Sequence, residues 1–159
     1  MIEARQFTIR QAKIDDLPLL VEWTLKLHKH EDDGTLQTHP EFHTKITHWI
    51  TLEIENPASL YLIAESNGNA IGFLGASQVL NDNGFLLEPT KGIIQLLWIE
   101  AEWRKSGVAD GLVSEVESCF RNIGVRYVEC TFTSSNQLAK NFWSKKAYQN
   151  FSISARKFL

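Results

Sequence analysis

Long apolar segments are missing from this sequence. No run of about eighteen apolar residues occurs, so we expect no membrane-spanning helix and no membrane partner. Residues 1–6 also lack the apolar centre that a secretory signal peptide carries. These two absences lead us to expect a cytoplasmic protein.

Cysteine is scarce, since the 159 residues include only 2. So few cysteines do not make a disulfide framework in a chain of this length. Cys119 lies in a segment with helical spacing and Cys130 in one with strand character, so we expect both to be buried as small apolar side chains. Buried thiols disfavour a mechanism that passes through a covalent enzyme intermediate.

A surplus of basic residues is also absent. The 16 Lys and Arg residues are outnumbered by 19 Asp and Glu residues, and the net charge of −3 argues against a nucleic-acid partner. Hydrophobic content of 43% and charged content of 22% are ordinary for a soluble globular protein. We expect one domain over residues 1–159, which is long enough to bury a core.

The histidines do not form a convincing metal site. All 5 lie between His28 and His48, and His39 and His43 are four apart, as zinc ligands on a helix are. However, Pro40 places His39 at a helix edge, and no cysteine joins the group. We therefore expect no bound metal.

The segment that is present and most informative joins a strand to a helix. An apolar run rich in branched and aromatic residues occupies residues 93–99 and predicts a buried strand. A polar turn follows at residues 104–109. Apolar residues then recur at spacings of three and four, which predicts a helix packed on a sheet. These residues are Leu112, Val113, Val116, Cys119, Phe120 and Ile123.

Such a turn is suited to binding an anion. The first turn of a helix has free backbone N–H groups and the positive end of the helix dipole. Gly107 allows the backbone to approach a ligand closely, and Arg104 and Lys105 add positive charge. A Walker loop is excluded, because its pair of glycines followed by Lys and Ser or Thr is absent. A dinucleotide fingerprint needs three glycines, and only Gly107 and Gly111 are present here.

The remaining pattern predicts alternating elements around one mixed sheet. We expect strands at residues 7–10, 59–65, 70–79 and 127–132, and a strand or hairpin at 151–159. We expect a first helix that begins at residues 15–18 and a second that spans about residues 41–55. A further helix should run from a cap at residue 134 or 135 to about residue 146. The strands on either side of the central helix should be parallel neighbours, because a crossover connection requires it.

Two motifs carry a resemblance to a known family. Arg104-x-x-Gly107-x-Ala109 resembles the pyrophosphate-binding loop of the GNAT (GCN5-related N-acetyltransferase) family, written Gln/Arg-x-x-Gly-x-Gly/Ala. Residues 136–148 are similar to the family's Asn-x-x-Ala-x-x-Phe-Tyr-x-x-x-Gly-Phe stretch, with Trp143 in place of Tyr. The resemblance covers residues 7–159 and is specific from 97 to 148.

The resemblance implies a fold and a cofactor. The fold is α+β, with a mixed, mostly antiparallel sheet of six or seven strands and about four helices. The fourth and fifth strands splay apart, and acetyl-CoA lies in the gap. Residues implied to bind this coenzyme A carrier are Leu97, Trp98, Ile99, Arg104, Lys105, Ser106, Gly107, Val108, Ala109, Asn136 and Phe142.

The implied reaction moves an acetyl group to a primary amine by direct attack in a ternary complex. Many family members place a Tyr acid where Trp143 stands, and an indole N–H can donate a hydrogen bond but cannot release a proton. Trp143 is therefore expected to stabilise the departing thiolate only. Some members use a Glu base on the central strand, where this chain has Gln95 and its neighbours; Glu100 or a chain of waters is the candidate base here.

The acceptor and the activity are open at this point. Glu31, Asp32 and Asp33 lie in a polar loop and are candidates to attract a cationic amine, whether a small molecule or a peptide. An acyl-CoA-binding regulatory module without turnover is an alternative, and so is a peptide or protein N-acetyltransferase. Family members are often dimers, and the sequence leaves open whether this chain is a homodimer.

Overall fold

The computed structural model describes residues 5–81 and 84–159. Two short 3-10 turns, Ile14–Asp16 and Ala101–Trp103, accompany the longer elements. The strands are β1 (Thr8–Gln11), β2 (Ser59–Ser66), β3 (Asn69–Leu80), β4 (Thr90–Ile99) and β5 (Val128–Cys130). The helices are α1 (Leu17–Glu31), α2 (Phe42–Glu55), α3 (Val108–Asn122) and α4 (Gln137–Lys145).

The strands form one open sheet with the order β1-β2-β3-β4-β5. From β1 to β4, each strand pairs antiparallel with the next strand in the chain, and β5 pairs parallel with β4. Helix α3 is the crossover that joins the parallel pair, as the strand-turn-helix pattern predicts. The expected mixed α+β fold with about four helices is confirmed.

The strand count differs from the expected six or seven, because the described residues contribute five strands. Residues 151–159 alternate in polarity as a strand would, but the structure assigns no strand to them. All of residues 151–159 are exposed, with Phe151 at 71% and Ile153 at 96%, so neither face of the segment is buried against a sheet. Alternation indicates a strand only where a partner covers one face, and this segment has none among the described residues.

The sheet opens between its two parallel strands. β4 pairs with β5 only from Gly92–Val128 to Ile94–Cys130, whereas β4 continues to Ile99. The parting of the fourth and fifth strands is therefore confirmed. A bulge lies at the same place, since Ala76 pairs with Ile94 and the preceding residue on β3 pairs with Leu96.

Apolar clusters on the two faces hold the sheet in place. On one face, α3 buries Leu112, Val113, Val116 and Phe120 almost completely. Burying one such side chain contributes about 1.5–3 kcal/mol. On the other face, Trp23 of α1 stacks on Phe73 with ring centroids 5.6 Å apart. The helices thus fix both sides of the sheet from which the splayed strands emerge.

Candidate functional site

A tight turn connects the end of β4 to the start of α3. Gly107 is the residue before the helix and has φ of 89°, in the left-handed region, and Lys105 has φ of 59°. A Cβ added to Gly107 would meet no atom within 4 Å. The backbone conformation therefore favours glycine there, while the space in front of it stays open.

Backbone amides at this turn precede the helical hydrogen-bond ladder. Gly111 N donates to Gly107 O over 2.9 Å, so the ladder begins at Gly111. The amides of Val108, Ala109 and Asp110 come earlier and have no i−4 carbonyl within the helix. Together with the helix dipole they form a site that favours an anion.

The charges around the turn are arranged to leave the amides available. Asp110 would repel an anion, but its carboxylate lies 2.9 Å from Lys146 Nζ in an ion pair. Arg104 does not reach across the amides, because its Nε donates to Ile99 O over 3.1 Å and its guanidinium lies 5.0 Å from the Trp98 ring. Ser106 Oγ donates to Trp103 O over 2.5 Å. Arg104 and Ser106 therefore brace the turn, and backbone groups are left for a ligand.

The open edge of β4 also presents backbone groups. Glu100 N donates to Ile71 O over 2.9 Å, so Glu100 faces β3. Because successive residues of a strand face opposite neighbours, Trp98 also directs its backbone to β3, and Leu97 and Ile99 direct theirs to the gap. Of the three residues expected to pair with the pantetheine arm of acetyl-CoA, Leu97 and Ile99 thus face the gap between β4 and β5.

Helix α4 follows β5, the strand on the other side of the gap. Asn136 caps it, with Oδ1 accepting from Ala139 N over 3.0 Å. Trp143 is 6% exposed, and its ring centroid lies 5.0 Å from that of Phe142 and 4.8 Å from that of Tyr148. The Tyr148 hydroxyl donates to Glu117 of α3, and burial together with this carboxylate raises the pKa of Tyr148. Tyr148 therefore does not replace the missing Tyr acid.

The candidate base lies on the α1 face of the sheet, just beyond the end of β4. Glu100 Oε1 accepts from Trp23 Nε1 over 2.5 Å, and Lys26 Nζ lies 4.0 Å from the same oxygen. Glu100 Oε2 receives no hydrogen bond from the described residues. One carboxylate oxygen thus remains able to take a proton.

The acidic loop between α1 and α2 borders a cavity of about 420 Å³. Asp32 and Asp33 are exposed, and Asp33 Oδ2 lies 3.6 Å from Arg156 of the C-terminal segment. Glu31 is partly buried, and its carboxylate accepts from Thr133 N over 2.9 Å. The other residues that line the cavity are His28, Leu36, Gln37, Thr38, His39 and Phe42.

The two cysteines are not placed as nucleophiles. Burial raises the pKa of Cys130 to about 12, and burial also raises that of Cys119. A thiol with so high a pKa is almost wholly protonated near neutral pH and attacks a thioester slowly. Both thiols are only half-buried, so the expectation that they are fully buried is wrong.

No helix among the described residues is both long and apolar enough to cross a membrane. Within residues 5–81 and 84–159, no group of three or more His, Cys, Asp or Glu side chains is placed to hold a metal ion.

Sequence reasoning missed three features of this site. The bulge at Gln95, the approach of Arg156 to the acidic loop and the contact between Glu31 and Thr133 all join residues far apart in the chain. No local pattern in the sequence signals a contact across 102 positions. The turn before α3 was found because its glycine and basic residues are contiguous.

Solved structures with the same fold include several acetyltransferases. One is described as a predicted acetyltransferase with acetyl-CoA from Clostridium acetobutylicum; it has 17% identity and a TM-score of 0.80 over 96% of this chain and 96% of that chain. A GCN5-related N-acetyltransferase from Ralstonia eutropha has 15% identity and a TM-score of 0.80 over 96% and 99%. The aminoglycoside N-acetyltransferase AAC(6')-Iy, in complex with CoA, has 18% identity and a TM-score of 0.75 over 99% and 98%. At these identities the likeness establishes the fold.

Sequence comparison establishes the family. None of the curated proteins matches the chain significantly. The model of the acetyltransferase (GNAT) family matches residues 23–148, which include β4, the turn before α3 and the whole motif at residues 136–148. The match covers well over half of the chain, and it contains both motifs that carry the resemblance. The chain therefore belongs to the GNAT family of acetyltransferases.

Proposed function

We propose that residues 1–159 form one N-acetyltransferase domain that uses acetyl-CoA and acetylates a primary amine by direct attack in a ternary complex. The observation that carries this proposal is the pairing of two features at one place. β4 and β5 part after Ile94 and Cys130, and the uncommitted amides of Val108 to Asp110 lie just beyond the end of β4. A long, flexible thioester with a diphosphate fits a gap that ends in an anion site.

The residues at the gap suit the parts of coenzyme A. The amides of residues 108–110 would bind the diphosphate, with the open space at Gly107 admitting it. The backbone groups of Leu97 and the N–H of Ile99 would hold the pantetheine arm as an added strand does. The Ile99 carbonyl already accepts from Arg104 Nε. Phe142 would line the opposite wall. When bound, acetyl-CoA supplies the activated acetyl group.

Side chains of this protein would then accept the proton of the amine and stabilise the negative charge of the departing thiolate. An alkylamine has a pKa near 10, so only about one molecule in a thousand is neutral at pH 7 and a base is needed. Glu100 is our candidate, since Oε2 is not bound by the described residues. Trp143 would donate a hydrogen bond through its indole N–H without supplying a proton.

The acceptor that we propose is a cationic amine on a small molecule or a peptide. The cavity beside the acidic loop supports this class, because Asp32 and Asp33 give it exposed carboxylates. Structures of AAC(6')-Iy are described with CoA and with an acetylneamine bisubstrate analogue, which shows that this fold accommodates such an amine in that protein. A cytoplasmic location and a homodimer remain predictions.

The direct test is thiol release from acetyl-CoA with a panel of amines. The panel should hold aminoglycosides, polyamines and lysine-containing peptides, with a neutral amide of each class as the control. We expect thiol release with at least one cationic amine and none with its amide. No release with any amine would contradict the enzyme proposal.

A second function is favoured by one observation. Trp143 is 6% exposed and packed between two aromatic rings, in a position where many family members place a Tyr acid. A module that binds acyl-CoA without turnover would keep the gap and lose the acid. Tight coenzyme A binding without thiol release would support this function, and any turnover would exclude it.

A further inference from the structure

Glu31 joins the acidic-loop cavity, which we assign to the acceptor amine, to the loop between β5 and α4, which borders the proposed acetyl-CoA gap. It is the last residue of α1, and the cavity beside the acidic loop begins there. Its carboxylate accepts hydrogen bonds from Thr133 N over 2.9 Å and from Asn136 Nδ2. Its backbone carbonyl accepts from Thr133 Oγ1 over 2.8 Å.

These three contacts fix the loop between β5 and α4. Thr133 lies three residues after the end of β5, and Asn136 is the N-cap that precedes α4. Both carboxylate oxygens of Glu31 are occupied, one by each residue. Hydrogen bonds to a charged acceptor are stronger than those between neutral groups, so the loop is held firmly.

Both the oxygen and the nitrogen of the Asn136 side-chain amide form hydrogen bonds. Its Oδ1 accepts from Ala139 N, which caps α4, and its Nδ2 donates to Glu31. The start of α4 is therefore joined to α1 through the Asn136 side chain, while its far end is held against α3 by the Lys146–Asp110 ion pair. Phe142 and Trp143 lie on α4 between these two contacts.

Asp32 and Asp33 differ from Glu31 in this respect. Asp32 Oδ1 accepts from Gly34 N within its own loop, and Asp33 contacts Thr35 and Arg156. Neither contacts the β5–α4 loop. The three acidic residues therefore separate into one that is built into the framework and two that face the cavity.

We propose that Glu31 is a positioning residue, which holds Asn136 and the β5–α4 loop as the wall of the acetyl-CoA gap, rather than a ligand of the acceptor amine. This inference rests on the proposed function. Glu31 then supports acetyl-CoA binding, although the residue also lines the cavity that we assign to the acceptor amine. It also means that carrier binding is sensitive to the end of α1.

A reciprocal exchange of the two side chains tests this role. Glu31→Gln places a donor against the Asn136 amide or the Thr133 amide, so one hydrogen bond is lost. Asn136→Asp alone places two carboxylates against each other. The double variant restores the pairing, because the new amide donates to the new carboxylate, whose other oxygen still accepts from Ala139 N.

The readouts are the KM of acetyl-CoA, the KM of the amine and the dissociation constant of coenzyme A. We expect Glu31→Gln and Asn136→Asp each to weaken acetyl-CoA and coenzyme A binding by about ten-fold, the equivalent of one charge-assisted hydrogen bond. The KM of the amine should change less than about two-fold. The double variant should recover most of the loss, since the two side chains are coupled.

Asp32→Asn is the matched control, since it neutralises the adjacent carboxylate. It should raise the KM of a cationic amine and leave that of acetyl-CoA unchanged. If Glu31→Gln instead raises only the KM of the amine, Glu31 is an acceptor ligand and the proposal is overturned. A double variant no better than the worse single variant overturns it too.

The outcomes separate this proposal from the enzyme proposal. Coenzyme A binding is measured by calorimetry without turnover, so a chain that binds but does not acetylate still tests the role of Glu31. If Glu31→Gln does not fold, recovery of folding in the double variant replaces the kinetic readout, and no recovery overturns the proposal. A wild-type chain that binds no coenzyme A overturns both.

Discussion

Trp23 Nε1 donates a hydrogen bond of 2.5 Å to Glu100 Oε1, which joins a buried residue of α1 to the end of β4. Trp23 is 1% exposed and stacks on Phe73, so this carboxylate is held in one place. A general base must be held within reach of the proton that it takes, and a fixed carboxylate suits the role that we propose for Glu100. Glu100 could act as a base through Oε2 or serve only as the hydrogen-bond partner of Trp23 through Oε1, and a substitution distinguishes these two roles.

Glu100→Gln should lower kcat by about a hundred-fold, the usual contribution of a general base. The amide oxygen can still accept from Trp23, so the thermal midpoint should change little. Initial rates of thiol release and a thermal unfolding curve measure both effects. If kcat stays within about two-fold of wild type, Glu100 only holds Trp23 and the proton leaves by another route.

Trp143→Phe should reduce kcat by about ten-fold with little change in the KM of acetyl-CoA. The variant keeps an aromatic ring between Phe142 and Tyr148 but removes the indole N–H, so it tests the donor itself. Steady-state kinetics gives both constants, and near-ultraviolet circular dichroism checks the packing. An equal loss in kcat and in coenzyme A affinity would indicate that Trp143 acts only as part of the wall.

Cys130→Ala should retain turnover, because a thiol whose pKa is raised to about 12 is not the attacking group. Intact mass spectrometry of wild-type protein with acetyl-CoA, in the absence of amine, should show no added acetyl group. Cys119→Ala is the matched control on α3. An acetyl adduct that is present on the wild-type protein and absent from the Cys130 variant would contradict direct transfer.

The pH dependence of stability should contain a term from Asp16. Hydrogen bonds from Arg10, both of 2.8 Å, lower the pKa of Asp16, and Lys13 N adds a third bond to the same carboxylate. Since the folded pKa is depressed, the stabilisation is present above the unfolded pKa of about 3.9 and is lost as the pH falls through the folded pKa.

Asp16→Asn should therefore lower the free energy of unfolding by about 1.5–3 kcal/mol at pH 7, the range for hydrogen bonds to charged groups. The difference from wild type should shrink below about pH 4. Urea unfolding at pH 3 to 7 measures it. Asp15→Asn, which removes an exposed carboxylate with no ion pair among the described residues, is the control and should show no such trend.

Local sequence patterns were sufficient for the parts of the fold that are continuous in the chain. Helix α3 follows from the spacing of Leu112, Val116 and Phe120, and the turn before it follows from one glycine between polar residues. The strand expected at 127–132 is shorter, since only Val128–Cys130 pairs with β4. Residues beyond Cys130 keep their strand-like composition but lie where the two strands part.

Contacts between distant segments were not accessible to the same reasoning. Nothing near Glu31 in the chain indicates that its carboxylate meets Thr133 and Asn136, because the pairing arises from how α1 and β5 pack. The sequence pattern grouped Glu31 with Asp32 and Asp33 by charge alone. The structure divides the three by the direction of their hydrogen bonds.

Gly107 and Gly124 offer a matched pair at opposite ends of α3. Their φ values are 89° and 85°, and a Cβ on either would meet nothing within 4 Å. Alanine at either position should therefore cost a similar 1–2 kcal/mol or so of backbone strain. Only Gly107 stands beside the amides that we assign to the diphosphate.

Calorimetric titration of coenzyme A into wild type, Gly107→Ala and Gly124→Ala tests this assignment most directly. We expect wild type and Gly124→Ala to bind with the same affinity. The Gly107 variant should bind at least about ten-fold more weakly, because its first helical amides shift and a methyl group enters the open space. Equal affinity in all three proteins would contradict the assignment of this turn as the diphosphate site.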